Sequence, residues 1–136
     1  MEPNQWAINQ GDGSFLIEDA LGSGVTTYCM STSFGDLNQD GTLDMIVAGI
    51  GQQFGFVRMG ESYVDHWASW GLPVLLTSDD MPWGSAVTDL DNDGRTDILL
   101  TASGFSYVND VDGEPFYAHL QLAEGEFSNQ SESLGF

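Results

Sequence analysis

Two nine-residue stretches constrain this chain more than anything else in it: Asp36-Leu37-Asn38-Gln39-Asp40-Gly41-Thr42-Leu43-Asp44 and Asp89-Leu90-Asp91-Asn92-Asp93-Gly94-Arg95-Thr96-Asp97. They begin 53 residues apart and carry Asp, Leu, Asp, Gly and Asp at the same places. An apolar run follows each, Met45-Ile46-Val47-Ala48 and Ile98-Leu99-Leu100. Repetition at a fixed period outranks local propensity in deciding a fold, because each copy must be one packing unit.

A weaker element recurs between the strong ones. Residues 6–22, 56–72 and 120–135 each read as an apolar strand, a Gly-bearing turn, an aromatic strand, and a polar stretch ending in Gly and Leu. Elsewhere, apolar or β-branched runs of four to eight residues are broken by Gly, Asn and Asp clusters, which is strand punctuation. No ten-residue window shows a helical stripe, and 17 glycines are spread along the chain. The fold class is all-β.

A unit of about 50 residues with four short antiparallel strands has the size of a β-propeller blade. The expected unit has an inner strand (29–35, 85–88) running into the Asp loop and a second strand leaving it (44–49, 97–102). Two outer strands follow, hinged at Gly60 or Gly125. A lone outer pair, 6–8 with 14–17, comes first. The order gives about two and a half blades: a half-blade in 1–27, a blade in 28–80 and a blade in 81–136. Closed rings take 4–8 blades, so the expectation is a partial propeller or an assembling segment.

The loops have the chemistry of a calcium site. Ca²⁺ is a hard ion that takes six to eight oxygens at roughly 2.3–2.6 Å. Oxygen side chains at positions 1, 3, 5 and 9 can wrap one, with the position 7 carbonyl filling a gap. In the first loop these are Asp36, Asn38, Asp40, Asp44 and the carbonyl of Thr42. In the second they are Asp89, Asp91, Asp93, Asp97 and the carbonyl of Arg95. Gly41 and Gly94 stand at position 6, where the chain must turn sharply. An EF-hand opens in the same way but needs an acid at position 12 and flanking helices. Position 12 is Val47 in one loop and Leu100 in the other, and strand-like runs flank both. Acidic turns holding no ion are the alternative, yet carboxylates this close repel one another unless a cation joins them. Two calcium sites are expected, the four-acid second loop binding more tightly.

Charge narrows the partners. The chain has 21 Asp and Glu against 2 Lys and Arg, a formal charge of -19. Such a surface repels phosphate backbones and anionic headgroups, so nucleic-acid and membrane-surface roles are disfavoured. No run approaches the ~18 apolar residues of a membrane span. The start, Met1-Glu2-Pro3-Asn4, lacks the basic and apolar regions of a signal peptide. The expectation is either a removed leader or a piece of a longer chain. Cys29 is the sole cysteine, so no intrachain disulfide can form, and its alternating context reads as a buried, inert thiol.

With loops and units in place, the chain resembles the FG-GAP and VCBS repeats of integrin-like β-propellers, nearest to the cartilage acidic protein and ASPIC/UnbV group. The resemblance rests on Phe34-Gly35-Asp36 through Val47-Ala48, Trp83-Gly84-Ser85-Ala86, and Asn9-Gln10-Gly11-Asp12-Gly13-Ser14-Phe15. One departure is that Val87-Thr88 replaces the Phe-Gly that precedes the first loop. The resemblance implies a secreted or surface protein whose calcium ions brace the blades, used in adhesion or ligand recognition rather than catalysis.

Other residues weigh little. His66 and His119 are the only histidines and lie near no cysteine or second histidine. No elbow organises a serine nucleophile, so no catalytic residue is expected. Trp6, Trp67, Trp70 and Trp83 fit gaps between blades better than a sugar-stacking shelf. Asn109-Asp110-Val111-Asp112-Gly113 is a candidate third ion turn, and Asn129-Gln130-Ser131 fits the N-glycosylation pattern.

Three readings follow. The first is a non-enzymatic, calcium-stabilised extracellular propeller segment that recognises a protein or glycan ligand. The second is a subunit that joins further blades or copies of itself through unpaired edges, as a ring or a filament. The third is part of a calcium-dependent polysaccharide-active enzyme, which would need a groove of convergent acids outside the loops; the sequence shows none at a recognisable spacing.

Overall fold

The computed structural model describes residues 2–19, 21–74, 81–103 and 116–135. The residues 109–113 proposed as a third ion turn lie outside them. A two-stranded sheet comes first, β1 (Gln5–Asn9) with β2 (Phe15–Asp19). Two four-stranded antiparallel sheets follow. One is β3 (Tyr28–Gly35), β4 (Asp44–Ile50), β5 (Gln52–Met59) and β6 (Ser62–Asp65). The other is β7 (Met81–Thr88), β8 (Asp97–Ser103), β9 (Phe116–Ala123) and β10 (Glu126–Asn129). Each pairs in sequence order, so both are up-and-down meanders, the blades of a partial propeller. A single turn of helix, α1 (Ser131–Leu134), ends the described chain. It has no apolar stripe to announce it. Its start is set by Asn129, whose Oδ1 accepts the Ser131 amide at 3.0 Å and the Ser131 hydroxyl at 2.6 Å. The glycosylation-like triplet thus serves as the turn into α1.

The apolar run of β4 is buried on both faces. Ile46 and Ala48 face the second blade, where they pack with Ile98, Leu100 and Ala102 of β8. Met45 and Val47 face the other way, onto Phe56 and Tyr63, with Trp6 and Val25 packed against them. Covered on two sides, β4 can be continuously apolar, as buried strands are. On β8 only the Ile98, Leu100, Ala102 side is buried; Leu99 and Thr101 are half-exposed.

The blades meet along their inner strands. The Ser31 hydroxyl donates to Ser85 Oγ at 3.0 Å, and the Ser33 hydroxyl to the Ser85 carbonyl at 2.7 Å. Further along the same seam, Gly35 lets β3 approach β7. A Cβ there would overlap Val87 Cγ1 outright and stand 3.3 Å from Thr96 Cγ2. This gives the Phe-Gly to Val-Thr departure a physical meaning, because Val87 occupies the space that Gly35 leaves open.

Trp70 closes the opposite side of the interface. Its ring lies on Gly55 of β5, where any Cβ would collide with it, and 5.3 Å from the Phe127 ring of β10. Trp67 is buried beside it, its indole N–H donating to the Pro73 carbonyl at 3.1 Å. Trp6 stacks on Tyr63 at 5.4 Å and tethers the first hairpin to the first blade. These three tryptophans fill gaps, as expected; Trp83 instead is exposed.

Cys29 departs from the sequence reading: its thiol is exposed. The reason is a β-bulge. Register between β3 and β4 shifts between Cys29 and Ser31, and register between β7 and β8 shifts between Pro82 and Gly84. A bulge leaves one residue unopposed and breaks the inside-outside alternation, so counting along 28–31 misplaces Cys29. The two bulges occupy equivalent places in the repeat, with Met30 and Trp83 as the unopposed residues. The second accounts for both the exposure of Trp83 and the tolerance of Pro82 in a strand.

Candidate metal centre

Each Asp loop joins the inner strand of a blade to the next strand, and the two loops share one frame of backbone-amide hydrogen bonds. The position 5 amide (Asp40, Asp93) donates to the position 1 carboxylate at 3.0 and 3.1 Å, and to the position 3 side-chain oxygen at 3.1 and 3.2 Å. The glycine amide (Gly41, Gly94) donates to the other position 1 oxygen at 2.9 Å in both. The position 7 amide (Thr42, Arg95) donates to position 5 Oδ1 at 2.8 Å in both. Position 6 has a positive φ, 83° at Gly41 and 86° at Gly94. So does position 4, 60° at Gln39 and 62° at Asn92, a requirement that the sequence reading missed. Asn tolerates this left-handed region; Gln39 gave no local signal.

Position 9 anchors each loop. Asp44 Oδ2 accepts the Leu37 amide at 2.8 Å, and Oδ1 the Arg58 amide of β5 at 2.8 Å. Asp97 Oδ2 accepts the Leu90 amide at 2.7 Å, and Oδ1 the Gln121 amide of β9 at 2.9 Å. Both residues are buried, 0% and 1% exposed. Burial raises both carboxyls above the usual carboxylate range, the backbone donors pull them back, and the neighbouring carboxylates (Asp40 and Asp36, Asp91 and Asp93) raise them further. A cation among these groups would remove that repulsion.

One oxygen each from Asp89, Asp91 and Asp97 lies within 4.8 Å of the other two. Two ligands on opposite sides of a calcium ion at 2.3–2.6 Å are about 4.6–5.2 Å apart, so these three can share one ion. The donor set is all oxygen and anionic, which suits a hard divalent cation. The equivalent places in the first loop hold Asp36, Asn38 and Asp44 on the same hydrogen-bond frame. Position 5 stands aside in both. The Asp93 carboxylate forms an ion pair with the Arg95 guanidinium. Asp40 accepts the Thr42 hydroxyl at 2.6 Å and the Asn38 side-chain amide at 2.9 Å, and these bonds hold its carboxyl below the usual range.

A model of the FG-GAP-like repeat matches residues 2–47, and a model of the FG-GAP repeat matches residues 81–115. Each match contains one of the Asp loops. The chain carries FG-GAP repeats. The first match also takes in the β1–β2 hairpin, whereas the second begins at the inner strand β7. FG-GAP repeats build propeller domains that are generally non-catalytic and typical of extracellular or surface proteins. A search of curated proteins gave no match.

Among the described residues neither histidine joins a metal-ligating cluster, although His66 lines one cavity with Asn38 and Asp40 of the first loop. His119, on β9, is 2% exposed, stacks near Tyr117, and has no partner for Nε2 among the described residues. Burial lowers its pKa from 6.5 to about 4, which keeps it neutral near pH 7. His66 packs near Trp70 and meets the Ser69 hydroxyl. Among the described residues, no helix is long and apolar enough to cross a membrane.

Proposed function

We propose that the chain is a calcium-binding extracellular β-propeller segment with a non-enzymatic role in adhesion or ligand recognition, each Asp loop holding one ion that braces its blade. The observation that carries this reading is the convergence of Asp89, Asp91 and Asp97 oxygens within 4.8 Å, on a loop frame that the first blade repeats. In the first loop the ligands are Asp36, Asn38, Asp40, Asp44 and the Thr42 carbonyl. In the second they are Asp89, Asp91, Asp93, Asp97 and the Arg95 carbonyl. Asp40 and Asp93 join by Oδ2, which the ion takes over from the Asn38 side-chain amide in the first loop and from the Arg95 guanidinium in the second. Residues 1–27, 28–80 and 81–136 are then a half-blade and two blades, of the kind found nearest in the cartilage acidic protein and ASPIC/UnbV group.

Equilibrium dialysis against Ca²⁺ tests the reading. It predicts two ions per chain, with one lost in Asp91→Ala and the other in Asp36→Ala. Fewer than one ion per chain at millimolar calcium would overturn it. A screen against immobilised glycans and matrix proteins, in calcium and in EDTA, tests the recognition role.

A self-assembling subunit is the second reading. It is favoured by the first hairpin, where Phe15, Leu16 and Ile17 are 60%, 48% and 56% exposed on a sheet of only two strands. Light scattering across a concentration series separates the two, since only the second predicts growth in mass.

A further inference from the structure

The two Asp loops are joined through the protein by one side chain. Gln121, on β9 of the second blade, donates its backbone amide to Asp97 Oδ1 at 2.9 Å, and its carbonyl accepts Arg95 Nε at 2.6 Å. Its side-chain amide crosses the blade interface and donates to the Leu37 carbonyl of the first loop at 2.6 Å. Leu37 in turn donates its amide to Asp44 Oδ2 at 2.8 Å. An unbroken path therefore runs from the position 9 carboxylate of one loop to that of the other.

Every member of the path is buried: Asp97 and Gln121 are 1% exposed, Leu37 and Asp44 0%. Water cannot replace a lost link, so each bond must be made where it stands. Gln121 Oε1 has no partner among the described residues. An apolar side chain of similar size would fill the position without burying an unsatisfied oxygen, so packing alone does not account for a glutamine here. The first blade shows what the position does otherwise. Arg58 stands there, its amide on Asp44 Oδ1, but its side chain is exposed and its Nε turns back to the Gly60 carbonyl.

We propose that Gln121 couples the two loops, so that a divalent cation held by one raises the affinity of the other. This rests on the calcium reading given above. A cation in the second loop fixes Asp97, Asp97 fixes the Gln121 backbone, and the Gln121 side chain fixes the peptide between Leu37 and Asn38. The first loop then has less freedom to lose when it closes on its own ion, and binding there strengthens. Linkage requires the same factor in the reverse direction.

Calorimetric titration of calcium chloride into the full chain tests this. The six proteins are the native chain and Gln121→Met, each with both loops intact, with Asp36→Ala and with Asp91→Ala. With Gln121 present, disabling either loop weakens the other by the same factor, about 5-fold or more. With Gln121→Met the factor falls to about 2-fold or less, although the backbone bonds to Asp97 and Arg95 are kept. A staple that only held the blades together would lower stability and leave the factor unchanged, and that result would overturn the proposal. Two calcium ions bound with no dependence between the loops would overturn it while sparing the calcium reading; no binding at all would end both. Should Gln121→Met not fold, nitrogen chemical shifts decide. In Asp36→Ala, filling the second loop must move the Asn38 amide resonance, and a resonance that stays in place refutes the path.

Discussion

Gly35→Ala should destabilise the protein, and Val87→Ala should relieve most of the damage. The φ of Gly35 is not in the left-handed region, so on backbone grounds alone alanine would gain about 0.4–1 kcal/mol by restricting the unfolded chain. The seam between β3 and β7 opposes this. The added Cβ would overlap Val87 Cγ1 and stand 3.3 Å from both Val87 Cβ and Thr96 Cγ2. Valine is stiff about χ1 and cannot swing the methyl away, so the strands must part. Overpacking of this kind costs about 1–3 kcal/mol, leaving a net loss of roughly 1–2 kcal/mol. Val87→Ala alone should cost about 1 kcal/mol, since Val87 is only half-buried and a fully buried methylene contributes ~0.8 kcal/mol. The double variant should then be about as stable as Val87→Ala, a coupling of at least about 1 kcal/mol. Urea denaturation of the four proteins measures it, with the slope checked for constancy. Costs that add to within about 0.5 kcal/mol would show that the inner strands do not meet at Gly35.

Three further outcomes are expected. Because the folded pKa of His119 is lowered from 6.5 to about 4, its contribution to stability is intact above pH 6.5, declines as the pH falls towards 4, and levels off below that. The loss is roughly 3 kcal/mol, so urea midpoints between pH 7 and 4 should fall less in His119→Phe than in the native chain. Gln39→Gly should stabilise by about 0.5–1 kcal/mol by relieving a left-handed non-glycine residue, and Asn92→Gly by less; equal melting temperatures for Gln39→Gly and the native chain would contradict this. Arg95→Ala frees Asp93 from a half-exposed ion pair worth about 0–1 kcal/mol; calorimetry should show calcium affinity at the second loop rising up to about 5-fold, and a fall would mean that Arg95 supports the loop more than it competes.

Most of the architecture is legible in the sequence because the repeat is local and periodic. The Asp loops, the apolar run after each, and Gly60 and Gly125 at the outer hairpins mark the strands to within a few residues. Gly41 and Gly94 announce their turns because position 6 needs a positive φ. What escaped depends on contacts distant in sequence. The bulges that expose Cys29 and Trp83 are set by pairing across β3–β4 and β7–β8, and Pro82 was their one local hint. Arg95 reads as a position 7 residue contributing a carbonyl, but its side chain reaches Asp93. Gln121 meets Leu37 across 84 residues of sequence, and no spacing rule connects them.

The central claim, that calcium braces the blades, is tested most directly by calorimetric unfolding in EDTA and in millimolar Ca²⁺. With sites at the tighter end of the extracellular range, ~10⁻⁴ M, each ion adds roughly 1.5 kcal/mol by mass action. Two sites should raise the melting temperature by roughly 10 °C, and the rise should vanish in an Asp91→Ala, Asp36→Ala double variant. A folded chain that melts at the same temperature in both solutions would contradict the account.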